Sequence, residues 1–310
     1  MLTFVYCLDE NYNKQSACSI YSLLENVDEK IKIFVIHNDP NKFQNIPEKI
    51  LNHKNLGSIK ILQKKLRDVY YPNLNYSHVS EATYYRLNLD EYFKNEEILI
   101  YLDSDIIFIN NPIKLFNQEI DKLNESGFTI SAKTETSLRG HAEKVMQLKS
   151  KKYFNAGVMI INIKKWKEDK ITNQLFKTMN SISEKIIYWD QDVLNSYFDG
   201  DYSELNSSLN FQVEMDKGNN FRIQKDQLSS IILLHYSGKF KPWSVMGAAN
   251  TESKYFHSIY KEIYDNYYLI SYNYRLNALK DLLRIIFTLR IFIIKNRLNF
   301  LYTVLNSLLK

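Results

Sequence analysis

Residues 97–116 read EILIYLDSDIIFINNPIKLF, which sets Asp103 and Asp105 inside an otherwise apolar run of Ile, Leu, Tyr and Phe. A β-strand buried on both faces reads as such a continuous hydrophobic run. A carboxylate at its end is costly unless it is paired or binds a cation. Two of them flanking one Ser are harder to place, because like charges repel. Two readings are open. Asp and Ser favour turns, where their side chains bond nearby backbone. Alternatively, the pair marks a metal site at the carboxyl end of a strand.

Working outward, strand and helix patterns alternate. LTFVYCL (2–8), IKIFVIH (31–37) and SIKILQ (58–63) are short β-rich runs. Between them, NKQSACSIYSLLENV (13–27) has Ala17, Ile20, Tyr21 and Leu24 at helical spacing, and residues 42–54 predict a second helix. This order predicts an α/β fold with a mixed, mostly parallel sheet flanked by helices. A Tyr-rich loop at 68–80 and a helix with Ala82, Tyr85 and Leu89 lead into the 97–116 run. GFTISA (127–132), GVMIINI (157–163) and IILLHYS (231–237) supply further strands. KKWKEDKITNQLFKTMN and WDQDVLNSYF predict helices, and the polar residues 199–230 predict a loop-rich segment.

The 310 residues are 45% hydrophobic and 24% charged, enough for a full core, and 8 Gly with 5 Pro leave no low-complexity linker. Cys7 and Cys18 are too few for a disulfide framework or a zinc site and fit a reducing cytoplasm. The apolar run at the N-terminus meets Asp9, too early for a signal peptide. The net charge is +5. Residues 275–310 carry seven basic side chains against one acidic, so the remainder is about −1. This distribution argues against a nucleic-acid partner.

The tail itself is strongly apolar, with Arg284 and Arg290 spaced through LLRIIFTLRIFII. A spanning helix wants ~20 nearly uncharged residues. The tail instead resembles an interfacial helix whose basic side chains attract anionic lipid. It divides the chain into a catalytic domain, 1–250, and a membrane-associating tail, 251–310. The competing reading is a helix that packs on its own domain or dimerises.

In an open α/β sheet, ligands bind beyond the carboxyl ends of the strands. Asp9, Asn11 and Tyr12 follow the first strand, and Asp103, Ser104 and Asp105 follow the central one. Asn155 precedes a strand in YFNAGV, and His235 ends another, before YSGKFKPW (236–243). Two carboxylates with an imidazole suit Mn²⁺, and Mg²⁺ would accept the carboxylates with phosphate oxygens. Gly238, Lys239 and Lys241 offer close backbone approach and cations to a diphosphate. Tyr12 could stack on a base, and Asp9 could accept from a ring N–H.

LDENYN, TYYRLNL, IYLDSDIIF, YFNAGVMIINIKKWK, WDQDVLN and HYSGKFKPW span roughly residues 2–243. In this order they resemble the family 8 retaining glycosyltransferases of the GT-A fold, above all the bacterial lipopolysaccharide-type galactosyl- and glucosyltransferases. The resemblance implies transfer of a hexose from a UDP-sugar to a glycan or lipid-linked acceptor. It implies that Asp9, Asn11 and Tyr12 hold the uridine, that Ser104 lies near the ribose, and that Arg86 reaches the sugar and diphosphate region. Asp103, Asp105 and His235 would bind Mn²⁺, and Gly238 with Lys241 the diphosphate. Asn155 and Gly157 would border the donor sugar, and Asp190 and Gln191 would flank the anomeric carbon. The chain departs from the family at SAKTET, where Lys133, Thr134 and Glu135 stand in place of an Asp often present near the sugar hydroxyls. That leaves the choice between glucose and galactose open.

Retention could proceed through a covalent intermediate, for which Asp190 is a better nucleophile than Gln191, or through front-face attack with no protein nucleophile. The second is favoured. Two other classes compete. A haloacid-dehalogenase-like phosphatase also carries Asp-x-Asp after a strand, but normally the first strand. A non-catalytic sugar-nucleotide-binding protein would not need an intact metal triad. The expected location is cytoplasmic, on the inner face of a membrane. Residues 68–80 and 199–230 are candidates to border the acceptor.

Overall fold

The computed structural model describes residues 1–65, 70–72, 74, 80–215, 221–271 and 275–309. Its strands are β1 (Thr3–Leu8), β2 (Ile31–His37), β3 (Leu56–Gln63), β4 (Ile98–Leu102), β5 (Ile106–Phe108), β6 (Ile130–Thr134), β7 (Phe154–Asn162), β8 (Ser203–Glu204), β9 (Phe211–Gln212) and β10 (Leu233–His235). Seven form one sheet in the order β3-β2-β1-β4-β7-β6-β8. β7 alone runs against its neighbours β4 and β6; the other pairings are parallel. The mixed, mostly parallel sheet is therefore as the alternation predicts.

Every residue of β1 is buried. Its side chains alternate between two cores, Val5 and Cys7 on one face and Phe4, Tyr6 and Leu8 on the other. A strand covered on both faces needs this unbroken apolar composition. The helices Asn13–Asn26 and Ile113–Ser126 cover one face, and the helices Ile171–Ser181 and Trp189–Phe198 the other. Cys7 and Cys18 are both buried free thiols.

The run 97–116 is split between two sheets. β4 ends at Leu102, residues 103–105 turn, and β5 enters a small sheet of order β5-β10-β9. β5 pairs antiparallel with β10, so His235 lies opposite Ile106. Tyr236 N donates to Asp105 O at 3.0 Å, and Asp103 N donates to Gly157 O at 2.8 Å. Each aspartate is thus anchored by its own backbone to a different sheet. Asn111 then accepts from Ile113 N at 2.9 Å and starts the next helix, which Gly127 ends with φ +72°.

Several elements differ from the sequence reading. Residues 42–54 are not one helix: a 3-10 turn (Pro40–Phe43) and a single α-turn (Glu48–Leu51) flank Pro47, which lacks the N–H a continuous helix needs. Residues 81–91 are a 3-10 run kinked at Asn88. KKWKEDKITNQLFKTMN makes two helices, Ile163–Glu168 and Ile171–Ser181, separated at Lys170 (φ +52°). The expected interfacial helix is likewise two, Arg275–Phe287 and Arg297–Leu309, broken at Leu289 (φ +59°) and Asn296 (φ +50°).

One face of those tail helices, with Ala278, Leu282, Ile285, Phe300 and Val304, packs on Val245, Met246, Ala249 and Tyr268. The other face exposes Leu276, Leu283, Phe287, Leu298 and Leu305, and the turn between the helices exposes Phe292. Among the described residues no helix is long and apolar enough to cross a membrane. The preceding helix, Ser253–Tyr264, packs Phe256 and Tyr260 into a core with Cys18, Ile107 and Leu234.

Candidate active site

The turn after β4, the start of β7, the end of β10 and the first turn of the helix Trp189–Phe198 meet around an open cleft of about 840 Å³. Asp103, Asp105 and His235 converge there, with ligand atoms all within 4.8 Å of one another. Tyr101 Oη donates to Asp103 Oδ1 at 2.8 Å. Lys241 Nζ lies 2.6 Å from Asp105 Oδ2 and also donates to Tyr236 O. Burial alone would raise the pKa of Asp105. The ammonium of Lys241, joined by His235 whenever its ring is charged, outweighs burial and holds the carboxyl well below its ordinary range.

The residues fit a divalent cation. Asp105 Oδ1 is buried without a hydrogen-bond partner among the protein atoms. His235 Nε2 stands 3.3 Å from it, but without hydrogen-bond alignment. A buried carboxylate oxygen left so is costly, and a cation would satisfy it. Below the triad, a Cβ on Gly157 would sit 2.9 Å from His235 Nε2 and 3.0 Å from Asp103 Oδ2. Only glycine leaves that space open.

Arg86 joins this cluster to a second one. Its guanidinium lies over the Tyr101 ring at 4.3 Å, donates to Ala156 O at 2.6 Å, and stands 3.1 Å from Asp103 Oδ1. Its Nε is 2.7 Å from Asp190 Oδ2, an ionic contact, because the N–H itself is aligned with Thr83 O at 3.3 Å. Thr83 Oγ1 donates to Asp190 Oδ1. Asp190 is 2% exposed. Burial pushes its carboxyl up to about 6, against the opposing pull of Arg86 and Thr83. Gln191 Oε1 accepts from Ala156 N at 2.9 Å.

The backbone bearing Asp190 and Gln191 is tightly held. Asp192 Oδ1 accepts from Tyr153 Oη at 2.6 Å and lies 2.7 Å from His141 Nε2. Its Oδ2 accepts from the amides of Ile187 and Tyr188, both at 2.7 Å. Trp189 adopts φ +47°, unusual for a bulky residue and adjacent to the two candidate catalytic side chains.

Of the expected residues, Tyr12, Arg86, Asp103, Ser104, Asp105, Asn155, Asp190, Gln191, His235, Gly238 and Lys241 line the cleft. Gly157 lies directly beneath it. Asp9 and Asn11 are not part of the wall: Asp9 Oδ1 caps the adjoining turn by accepting from Asn11 N at 2.9 Å, and Asn11 is exposed. Tyr12 is held edge-on to Trp243, with ring centroids 6.2 Å apart. Gly238 adopts φ +87°, where glycine is favoured. Parts of the loops expected to border the acceptor, 68–69, 73, 75–79 and 216–220, lie outside the described residues.

Thr83, Tyr101, Ser137, Tyr188, Gln212 and Glu214 also line the cleft and were not legible as site residues. Glu135, read only as a departure, is on the wall, where its Oε2 accepts from Asn155 Nδ2 and Gln212 Nε2, each at 3.1 Å. Asn210 is fully buried against His235. The one signal that could have flagged it is general: a ligating imidazole needs a partner on its other nitrogen.

Comparison with known proteins bears on this arrangement. The chain is 29% identical over 273 residues to a lipopolysaccharide 1,2-glucosyltransferase of Escherichia coli, covering 82% of this chain and 76% of that protein. It is 25% identical over 272 residues to general stress protein A of Bacillus subtilis, covering 83% and 92%. The solved galactosyltransferase LgtC, in complex with donor and acceptor sugar analogues, shares the fold. It has a TM-score of 0.68 at 22% identity and covers 85% of this chain and 96% of that one. This agrees with the GT-A architecture expected from the motifs. The aspartate pair that splits one apolar run between two sheets, the glycine beneath it and the histidine opposite it all fall within residues 3–247, which match the model of glycosyl transferase family 8, so the chain belongs to that family of glycosyltransferases.

Proposed function

We propose that the protein transfers a hexose, galactose or glucose, from a UDP-sugar to a glycan or glycolipid acceptor, with retention at the anomeric carbon and with Mn²⁺ or Mg²⁺ as cofactor. The observation that carries this reading is the buried, unpartnered Oδ1 of Asp105 beside Asp103 and His235 in a cleft that also holds Asp190 and Gln191. A divalent cation held there would offset charge developing on the diphosphate as the sugar leaves. With a cation held by Asp105, Lys241 would be available to a phosphate oxygen, and Gly238, at a left-handed φ without a side chain, would leave room for the diphosphate. Tyr12 is the candidate to flank the uracil, with Asp9 and Asn11 shaping the adjoining turn, and Ser104 adjoins the ribose.

On this reading Asn155, Gly157, Glu135 and Gln212 border the donor sugar. Arg86 acts chiefly by holding Asp103 and Asp190 in place, since its nitrogens already contact both. Front-face attack is favoured by the state of Asp190. Its Oδ1 accepts from Thr83 Oγ1, its Oδ2 is in ionic contact with Arg86 at 2.7 Å though it accepts no hydrogen bond from the protein, and the side chain is almost fully buried. A nucleophile must reach the anomeric carbon, and burial beside a fixed cation works against that. The relatives' names, among them a lipopolysaccharide 1,3-galactosyltransferase of Salmonella typhimurium, support an acceptor on a cell-surface glycan. We assign the cytoplasmic face of a membrane as the location, reached through the tail, with residues 1–250 as the catalytic unit.

The test is a screen of UDP-glucose, UDP-galactose and UDP-N-acetylhexosamines with free sugars and lipid-linked acceptors, reading UDP release. Release with Mn²⁺ that stops in excess chelator supports the proposal, and Asp105→Asn should lower it by orders of magnitude. Full activity in chelator ends the metal assignment. Release of inorganic phosphate instead of UDP would return the phosphatase reading, and UDP-sugar binding without turnover the non-catalytic one. A glycosyl adduct on Asp190 found by mass spectrometry would replace front-face attack with double displacement.

A further inference from the structure

We infer that Asn210 is a positioning residue that locks His235 in the tautomer able to bind a cation, as the second member of a polar chain that runs from His235 through Asn155 to Glu135. Gly157 N donates to Asn155 Oδ1 at 3.0 Å. A backbone amide can only donate, so this contact fixes which end of the Asn155 side chain is oxygen. Its nitrogen then faces Glu135 Oε2 at 3.1 Å, which as a carboxylate can only accept. Both ends agree, and the orientation of Asn155 is unambiguous.

Asn210 follows from it. Its Nδ2 donates to the same Asn155 Oδ1 at 3.0 Å, so its Oδ1 is the atom 2.9 Å from His235 Nδ1. An amide oxygen can only accept, and Nδ1 must therefore carry the proton. In the neutral ring this leaves Nε2 with a lone pair, turned toward Asp103 and Asp105. That is the form of histidine that ligates a metal. Asn210, Asn155 and His235 are all buried, which leaves the amide few alternatives to these partners.

The backbone puts Asn210 at this point for local reasons. Asn206 Oδ1 accepts from Ser208 N at 2.9 Å and starts the short turn Ser207–Asn210. β9 then pairs in parallel with β10, with Gln212 opposite His235. Lys133 Nζ donates to Asn210 O at 3.0 Å. The side chain preceding β9 is thereby held beside the histidine.

The inference rests on the proposal that Asp103, Asp105 and His235 hold a divalent cation, and its test separates the two. Binding of Mn²⁺ alone to the full chain is followed by loss of the free-ion paramagnetic resonance signal. The His235 tautomer is read in metal-free protein from ¹⁵N imidazole shifts, assigned with His235→Gln. We expect the Nδ1–H form in the unaltered chain and a loss of Mn²⁺ affinity of about 10- to 100-fold in Asn210→Ala. Asn210→Asp keeps an acceptor for Nδ1–H but cannot donate to Asn155. It should bind Mn²⁺ nearly as well as the unaltered chain while its KM for the UDP-sugar rises. Should Asn210→Ala fail to fold, the Asn210→Asp pattern and the tautomer of the unaltered chain still decide. Equal Mn²⁺ affinity of Asn210→Ala and the unaltered chain, or an Nε2–H imidazole in the latter, overturns the inference. An Nδ1–H ring in an unaltered chain that binds no Mn²⁺ upholds the tautomer lock and removes only the cation reading.

Discussion

Gly157 lies so close beneath His235 that a single methyl group on its Cα would stand 2.9 Å from the ring Nε2, the atom that faces Asp103 and Asp105. The two residues belong to different sheets, β7 and β10. Gly157→Ala should therefore leave the fold intact and push the imidazole out of register with the carboxylates. A displacement near 1 Å costs on the order of 100-fold in rate. Mn²⁺ titration and UDP release should both show the loss, with the far-ultraviolet circular dichroism unchanged. Full activity in this variant would mean that His235 is not a ligand.

Asp190 offers a test by pH. Its carboxyl is pushed up to about 6 by burial. If the ionised form is the working one, kcat/KM should fall as pH drops through about 6, and Asp190→Asn should be slow but flat across that range. Stability should move the other way. An unfolded Asp titrates near ~4, so the folded chain binds this proton more tightly. The favourable contribution is complete below about pH 4 and lost as pH rises through about 6. An acid limb that persists in Asp190→Asn would assign it to another group.

His257 should make the molecule acid-sensitive near the tail. Its Nε2 donates to Pro242 O at 3.0 Å, and its ring packs edge-on against Tyr268, centroids 4.7 Å apart. Burial drives its pKa from 6.5 down to about 4. Between those values the unfolded chain binds the proton and the folded one resists it. Stability from this residue is present above about pH 6.5 and is lost as pH falls toward 4, up to about 3 kcal/mol. Urea unfolding from pH 7 to 4.5 should show the decline, with a shallower slope in His257→Gln. Identical slopes would rule the residue out.

The tail should bind anionic membranes. Its two helices and the segment joining them expose Leu276, Phe287, Phe292 and Leu298, interspersed with Lys280, Arg284, Lys295 and Arg297. Each basic side chain near such a surface contributes roughly 1 kcal/mol, and the apolar face adds a term that salt does not screen. Vesicle flotation should retain the full chain on anionic vesicles at low salt and lose a chain lacking residues 275–310. Removal should expose Val245, Met246 and Tyr268, so the truncated chain is also expected to be less stable. Equal flotation of both chains would leave the tail as packing only.

Much of the fold was legible because a doubly covered strand must be apolar throughout. The 97–116 run, IKIFVIH and LTFVYCL could hardly be anything else, and their alternation with amphipathic helices implied the parallel sheet. Elements misread were those where local backbone chemistry outweighed periodicity: Pro47 inside the expected helix 42–54, the left-handed Lys170, and the breaks at Leu289 and Asn296 in the tail. Composition announced an apolar tail with basic punctuation. It could not announce that one face would be covered by Val245, Met246 and Tyr268.

The chemistry divides in the same way. Residue types at strand ends are a property of the sequence, and they named Asp103, Asp105 and His235 before any contact was known, while Asp190 and Gln191 came from the resemblance of WDQDVLN to the family. Which atoms face one another depends on register between segments far apart in the chain. The pairing of β5 with β10 sets His235 beside Asp105. The turn before β9 brings Asn210 to His235 Nδ1. Arg86 meets Asp103 and Asp190 only because the kinked 81–91 run packs against β1 and the helix Trp189–Phe198. Hydrogen-bond direction and burial exist only between such partners. The sequence by itself therefore determined the family, the sheet and the inventory of reactive groups, whereas the tautomer of His235 and the raised pKa of Asp190 were decided by tertiary contact alone.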